Sequence, residues 1–167
     1  MMTSFRELSN KGSVLIITLL VLLALTVIAV SEVSFNSTQT RIATNTADVQ
    51  VAFQTAQGAL NDATNNLLAG TYTNASFIAN ANGLYLFNPN NPPLWTTVNW
   101  TDNAAVITSF QGSSNTQAAY IIELLPSVIQ GGQNDNTPTN VYRITVRAVG
   151  ASGNSPVILQ STVQVQS

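Results

Sequence analysis

The chain has 167 residues, with 5 Lys+Arg against 7 Asp+Glu, a net charge of −2, no Cys and no His. That balance excludes a binder that grips nucleic acid through a basic face. It also removes disulfides, thiolate and imidazole metal ligands, and the commonest general base. Hydrophobic residues make up 45 % of the chain, so the scarcity of charge does not signal disorder.

The first element is apolar throughout. The 20 residues from Gly12 to Ser31 carry no charge. As a helix rising about 1.5 Å per residue they span about 30 Å, the hydrocarbon thickness of a bilayer. Arg6 and Lys11 precede the run and Glu32 follows it, which places the short N-terminus in the cytoplasm and the remainder outside it. Three beginnings fit: a cleaved secretory signal with Ala29-Val30-Ser31 at the cut, a plain signal anchor, or a leader removed ahead of the apolar run. The run exceeds the usual h-region of about 7–15 residues. A basic residue and a glycine lie directly before it, at Lys11-Gly12-Ser13. Here the chain resembles a class III prepilin, the precursor of type IV pilins and type II secretion pseudopilins. The resemblance implies cleavage by a prepilin peptidase after Gly12 and methylation of Ser13. It also implies a retained helix whose Val14, Leu15, Ile17, Leu19, Leu22 and Val27 face first inner-membrane lipid and then a fiber core.

Beyond Ser31 the pattern becomes amphipathic. Val49, Ala52, Phe53, Ala56, Ala59, Leu60, Ala63 and Leu67 recur at steps of three and four, one helical stripe. Asp48, Gln50, Gln54, Asn61 and Asn65 fall mostly off it. Gly70 is a C-terminal stop. One helix from about Ser13 to about Leu68 is about 80 Å long; a break near Ser34–Asn36 is the alternative, and Gly58 is a place to bend at about 1 kcal/mol relative to Ala. The segment Ala52-Phe53-Gln54-Thr55-Ala56-Gln57-Gly58-Ala59-Leu60 resembles the Ala-Phe-Gln-Ala-Ala-Glu-Ala-Ala-Leu block of PilX-type minor pilins. Arg41 stands where that family often has an Arg, while Gln57 and Gly58 depart from its Glu and Ala. By residue type alone, Ala52, Phe53, Ala56, Ala59 and Leu60 form a packing motif whose small side chains let a helix lie close to a sheet.

The sheet is predicted in the C-terminal third. Ala118–Leu124 is a short apolar, β-branched run ended by Pro126. Val141–Val149 alternates, with Tyr142, Ile144, Val146 and Ala148 on one face and Arg143, Thr145 and Arg147 on the other. Val157–Val165 sets Val157, Leu159, Val163 and Val165 against Gln160, Thr162 and Gln164. Gly150–Pro156 connects the last two as a hairpin. Tyr142-Arg143-Ile144-Thr145 and Leu159-Gln160-Ser161 also resemble the C-terminal strands of the PilX-type family. The middle, Thr71–Gln117, is Asn-, Ser- and Thr-rich, and Asn88-Pro89-Asn90-Asn91-Pro92-Pro93 reads as loop or turn. Trp95 and Trp100 within it either pack over the helix or form a contact surface.

Other sites carry thin signals. Gly131-Gly132-Gln133-Asn134-Asp135-Asn136-Thr137 offers oxygen ligands of the kind calcium takes, but only one carboxylate, so a polar hairpin tip accounts for it better. Glu123 lies across from Arg143 and Arg147 as a solvated face or an ion pair of small worth. Asn36, Asn74 and Asn99 open glycosylation sequons, which mean little in the bacterial chain that the resemblance implies. Asp102 and Glu123 are the carboxylate pair an enzyme would need, at no spacing that supports one.

The expectation is therefore an α+β fold, a long N-terminal helix packed on a small antiparallel sheet. Residues 1–12 form a leader, 13–30 a membrane and fiber-core half-helix, 31–69 an amphipathic half, and 70–167 a periplasmic headpiece. The resemblance implies a minor pilin that primes type IV pilus assembly from the tip. Its partners are other minor pilins, the assembly machinery, prepilin peptidase and inner-membrane lipid, with no enzyme activity, cofactor, metal or nucleic acid. In the major pilins of this family the fifth mature residue is Glu, which neutralises the N-terminal amine of the subunit ahead; here it is Ile17, as suits a first subunit, and equally a secretion tip pseudopilin or an anchored protein that is no pilin. A secretion pseudopilin and a single-pass envelope binding protein using Trp95 and Trp100 remain open.

Overall fold

The computed structural model describes residues 11–108, 118–128, 139–153 and 155–165. The segment from Gly131 to Thr137 lies outside them. The elements run α1 (Lys11–Leu68), α2 (Asn74–Ile78), β1 (Leu84–Leu86), α3 (Leu94–Thr97), β2 (Ala118–Val128), β3 (Thr139–Val149) and β4 (Pro156–Val165). Helix α1 has 58 residues and continues through both Ser34–Asn36 and Gly58. The chain divides into two compact units, Met1–Thr44 and Asn45–Ser167.

From Val14 to Val30 α1 is apolar on nearly every side, and Val14 through Val33 leave their large side chains exposed. The three hydroxyls between Val14 and Ser31 are satisfied within the helix. Thr18 donates to Leu15 O at 2.9 Å, Thr26 to Leu23 O at 2.7 Å and Ser31 to Val27 O at 2.9 Å. Side chains bonded back to the preceding turn present no unpaired polar group to a hydrocarbon medium. The helix is long and apolar enough to cross a membrane.

The second unit is built on a four-stranded sheet in the order β1-β2-β3-β4. The pairs β2–β3 and β3–β4 are antiparallel, and β1 adds a short parallel strand against β2. Sheet and helix meet through small residues. Ala52, Ala56, Ala59, Ala63 and Leu67 are buried; Ala56 through Leu67 share a core with Phe77, Tyr120, Ile122, Tyr142, Ile144, Val146 and Ala148. Leu159, Val163 and Val165 of β4 pack against its margin. The far side of β2 carries a second cluster, Val106, Ala119 and Ile121, covered by Tyr85, Leu94, Val98 and Trp100.

Local chemistry explains the boundaries. Helix α1 closes in a paired C-cap: Gly70 N–H donates to Leu67 O at 3.1 Å and Thr71 N–H to Asn66 O at 3.0 Å. Gly70 adopts φ +70°, the left-handed conformation this cap requires. Strand β2 does not end at Pro126 as expected but reaches Val128. Its pairing with β3 shifts between Leu125 and Val128, where the proline nitrogen has no hydrogen to give the ladder. Within the Asn-rich middle lie α2, β1 and α3, with the segment from Asn88 to Pro93 between β1 and α3. Entry to β1 needs Gly83, whose φ is +77° and whose missing Cβ would sit 2.6 Å from Ile107 Cγ1.

Candidate functional site

Three surfaces gather the residues singled out above. The first is the apolar face of the first unit. Val14, Leu15, Ile17, Leu19, Leu22 and Val27 are all exposed there, so the unit by itself offers them no partner. Lys11, Gly12 and Ser13 lie at the start of α1.

The second surface is the helix–sheet seam. Ala52, Ala56 and Ala59 are fully buried and Leu60 half-buried, while Phe53 is 42 % exposed. The buried stripe is thus narrower than the periodicity indicated: Val49 and Phe53 flank it on the open side. Asp48, placed off the stripe by sequence, belongs on it four residues before Ala52. It is 8 % exposed and accepts from Ser152 N–H at 2.9 Å and Ser152 Oγ–H at 2.6 Å. The Ser152 hydroxyl and backbone bonds hold its carboxyl below the usual carboxylate range, against the opposing effect of burial. Gly150 makes this approach feasible, because a Cβ there would run into the Asp48 carboxylate and carbonyl. A polar residue at a stripe position, opposite a Gly-Ser turn, was the available signal. Farther along the seam Tyr120 is fully buried, with its hydroxyl 3.2 Å from that of Tyr72 and 3.4 Å from Asp62 Oδ2. Burial and the Tyr72 hydroxyl push the Tyr120 phenol well above its ordinary range.

The third surface lies on the sheet face turned away from the alanine stripe. Tyr85 pairs in register with Glu123, and Glu123 with Arg143, so three neighbouring strands present one row of side chains. Glu123 is 3 % exposed. Arg143 donates from Nε to Oε2 and from a terminal nitrogen to Oε1, each at 2.8 Å, and its guanidinium lies 4.9 Å from the Phe87 ring centroid. The expected weak, solvated pair is instead a buried fork-to-fork pair stacked on an aromatic ring. Arg147 shares the face but registers with Ala119 and Ile158. Beside the row opens a cavity of about 540 Å³ walled by Tyr85, Phe87 and the 88–97 segment.

The tryptophans do not cover the helix. Trp100 packs against the Ala119–Ile121 cluster on the far face, its indole N–H donating to Trp95 O at 3.2 Å, and Trp95 is 39 % exposed. The enzyme pair does not form: Asp102 caps its own turn through Ala104 N–H at 2.9 Å, and Glu123 is held by Arg143. Asn74 accepts from the Tyr142 hydroxyl at 3.2 Å and Asn99 from Thr101. Among the described residues no cluster of acidic side chains is arranged to hold a metal.

A long helix, apolar in its first unit and docked by alanines on a small sheet in its second, defines a pilin-like subunit. A family model described as type IV pilus assembly protein PilX, C-terminal, matches residues 35–165. The chain belongs to the PilX family, and is a minor pilin connected with type IV pilus assembly. No curated protein and no solved structure matches it.

Proposed function

We propose that this chain is a priming subunit of the type IV pilus, held in the inner membrane until assembly and carried at the tip. The observation that carries this reading is the charge-free run of α1 from Gly12 to Ser31, with Ile17 where major pilins of the resemblance have Glu. A carboxylate in hydrocarbon costs several kcal/mol unless a partner neutralises it. A subunit that docks beneath no earlier one gains nothing from carrying it. Prepilin peptidase would cut Gly12–Ser13 and methylate Ser13, leaving the headpiece in the periplasm. The face from Val14 to Val27 would then exchange lipid for neighbouring helices. That exchange gains by packing rather than by the hydrophobic effect, so extraction needs a motor.

The test is deletion of the gene in its host, with pili counted by electron microscopy and the mature N-terminus read by mass spectrometry. Priming predicts few or no pili without the subunit, restoration by the wild-type chain, a methylated Ser13, and antibody label at fiber ends. An undiminished pilus count, or a chain left uncut at Gly12 beside an active peptidase, defeats it.

A further inference from the structure

We propose that the cavity beside Tyr85, Glu123 and Phe87 is a binding site for a neutral saccharide. Its volume of about 540 Å³ falls within the range of about 300–1,000 Å³ usual for small-molecule sites. Four observations set the chemistry of the ligand.

The site carries no net charge. Glu123 is the one ionisable carboxylate or cation among the described lining residues, and both its oxygens are matched by Arg143. A charged ligand would meet no counter-charge and would lose its hydration.

The rim offers donors. Asn80 Oδ1 accepts from Leu86 N–H at 2.8 Å and Asn88 Oδ1 from Asn90 N–H at 3.0 Å. A backbone N–H can only donate, so each amide oxygen is fixed in place and each amide nitrogen is the atom left over. Asn91 and Thr97 add further polar groups to the same lining.

The floor offers acceptors. Each Glu123 oxygen keeps lone-pair capacity beyond its bond to Arg143, and Glu123 is buried and fixed in orientation by the pair. A ligand meeting donors at the rim and acceptors at the floor needs groups that do both, which hydroxyls do.

The wall is aromatic and apolar. Phe87 and Tyr85 stand beside Leu86, Pro89 and Leu94. Phe87 is held by the Arg143 guanidinium, and Tyr85 by its hydroxyl bond to Ala105 O at 2.8 Å. Rigid rings suit the C–H face of a pyranose. A neutral, hydroxyl-rich molecule with one apolar face is a sugar, either free or at the end of a surface glycan.

The test uses the full chain in a phosphocholine detergent, because alkyl-glycoside detergents would occupy the site. Maltose, lactose and N,N′-diacetylchitobiose are titrated by saturation-transfer NMR and calorimetry, and the same sugars are offered on beads to separate free from surface-borne ligand. At least one sugar should bind saturably in either format. Phe87→Ala should weaken it about tenfold, the loss of one aromatic packing partner. Thr97→Trp, at an exposed position of the lining and with its fold checked by circular dichroism, should abolish binding by filling the opening. Thr162→Ala, which registers with Arg143 but does not line the cavity, should bind as wild type. No saturable binding in either format, wild-type binding by Thr97→Trp, or tighter binding of a sulfated heparin disaccharide than of the neutral sugars overturns the proposal.

Discussion

Asp48 on α1 and Ser152 in the β3–β4 turn stand 104 residues apart and share two hydrogen bonds, of 2.9 and 2.6 Å. The clasp fastens the end of the β3–β4 hairpin to the first turn of α1 in the second unit. It lies one helical turn ahead of the Ala52–Leu67 stripe. Because the carboxylate is bonded as an anion, its pKa is depressed in the fold. Its contribution is therefore present above the ordinary carboxylate value of 3.8 and is lost as pH falls through the depressed value. Asp48→Asn should lower Tm at pH 7. The gap to wild type should narrow as the pH is taken below about 4, where Asp48 of the unfolded chain begins to protonate, and close as the pH falls through the depressed value of the fold. Thermal melts by circular dichroism between pH 2 and 7 read both; a gap of constant size shows that Asp48 acts by shape alone.

Gly150 tests the same clasp from the other side. Its Cα lies against the Asp48 side chain and carbonyl with no room for a methyl group, so Gly150→Ala must push α1 and the turn apart. Overpacking of this kind costs about 1–3 kcal/mol. Gly153, with open space around it but φ +74°, is the control for backbone strain alone. Gly150→Ala should fail to add to Asp48→Asn in the double variant, whereas Gly153→Ala should add to it. Urea melts of wild type, the three single variants and the two double variants decide this.

The Glu123–Arg143 pair makes a different prediction, because its two partners are unequally exposed. Glu123 has 4 % of its side chain in water and Arg143 21 %. Removing Arg143 strands a buried carboxylate, while removing Glu123 strands a cation that can still reach solvent. Arg143→Met should thus cost more than Glu123→Gln. A broken buried pair typically loses about 3–5 kcal/mol, and the Glu123→Gln value should lie at or below the lower end. Replacing both with Leu and Met should recover most of the loss, since apolar pairs of like volume often match a buried ion pair. A double-mutant cycle by denaturant unfolding measures the three terms, and a double variant worse than either single one refutes the argument.

What the sequence disclosed and what it concealed follow from how far each contact reaches along the chain. The alanine stripe, the Gly70 stop and the alternation of β3 and β4 are local periodicities, and all appear in the fold. Strand β1 is three residues long, too short for any period to show, and its pairing with Ile122–Leu124 is set by tertiary contact. The clasp needs two turns of chain more than a hundred positions apart. The place of the tryptophans was nonetheless deducible. Ala118–Ile122 is apolar at both parities, so β2 must be covered on both faces. With α1 on the Tyr120 face, the Ala119–Ile121 face had to receive Trp100 and its neighbours. The cavity was hidden for the same reason as β1, because its wall exists only once β1 lies beside β2.

Phe53 separates folding from assembly. It belongs to the block that resembles the PilX-type motif, yet 42 % of it is exposed, whereas Ala56 three residues on is sealed against the sheet. The two positions should respond in opposite ways. Ala56→Leu inserts side-chain volume into a full seam and should lower stability by about 1–3 kcal/mol, dragging pilus number down with it. Phe53→Ala should leave the headpiece within about 1 kcal/mol of wild type, because a half-exposed ring forfeits little on truncation. If Phe53 is instead presented to a neighbouring subunit, its loss should reduce pili in the host while the melting curve of the isolated chain barely moves. Counting pili and measuring Tm for both variants distinguishes the roles. A Phe53→Ala chain that melts as early as Ala56→Leu places the ring in the fold of its own subunit, and a chain that melts and piliates normally removes it from both.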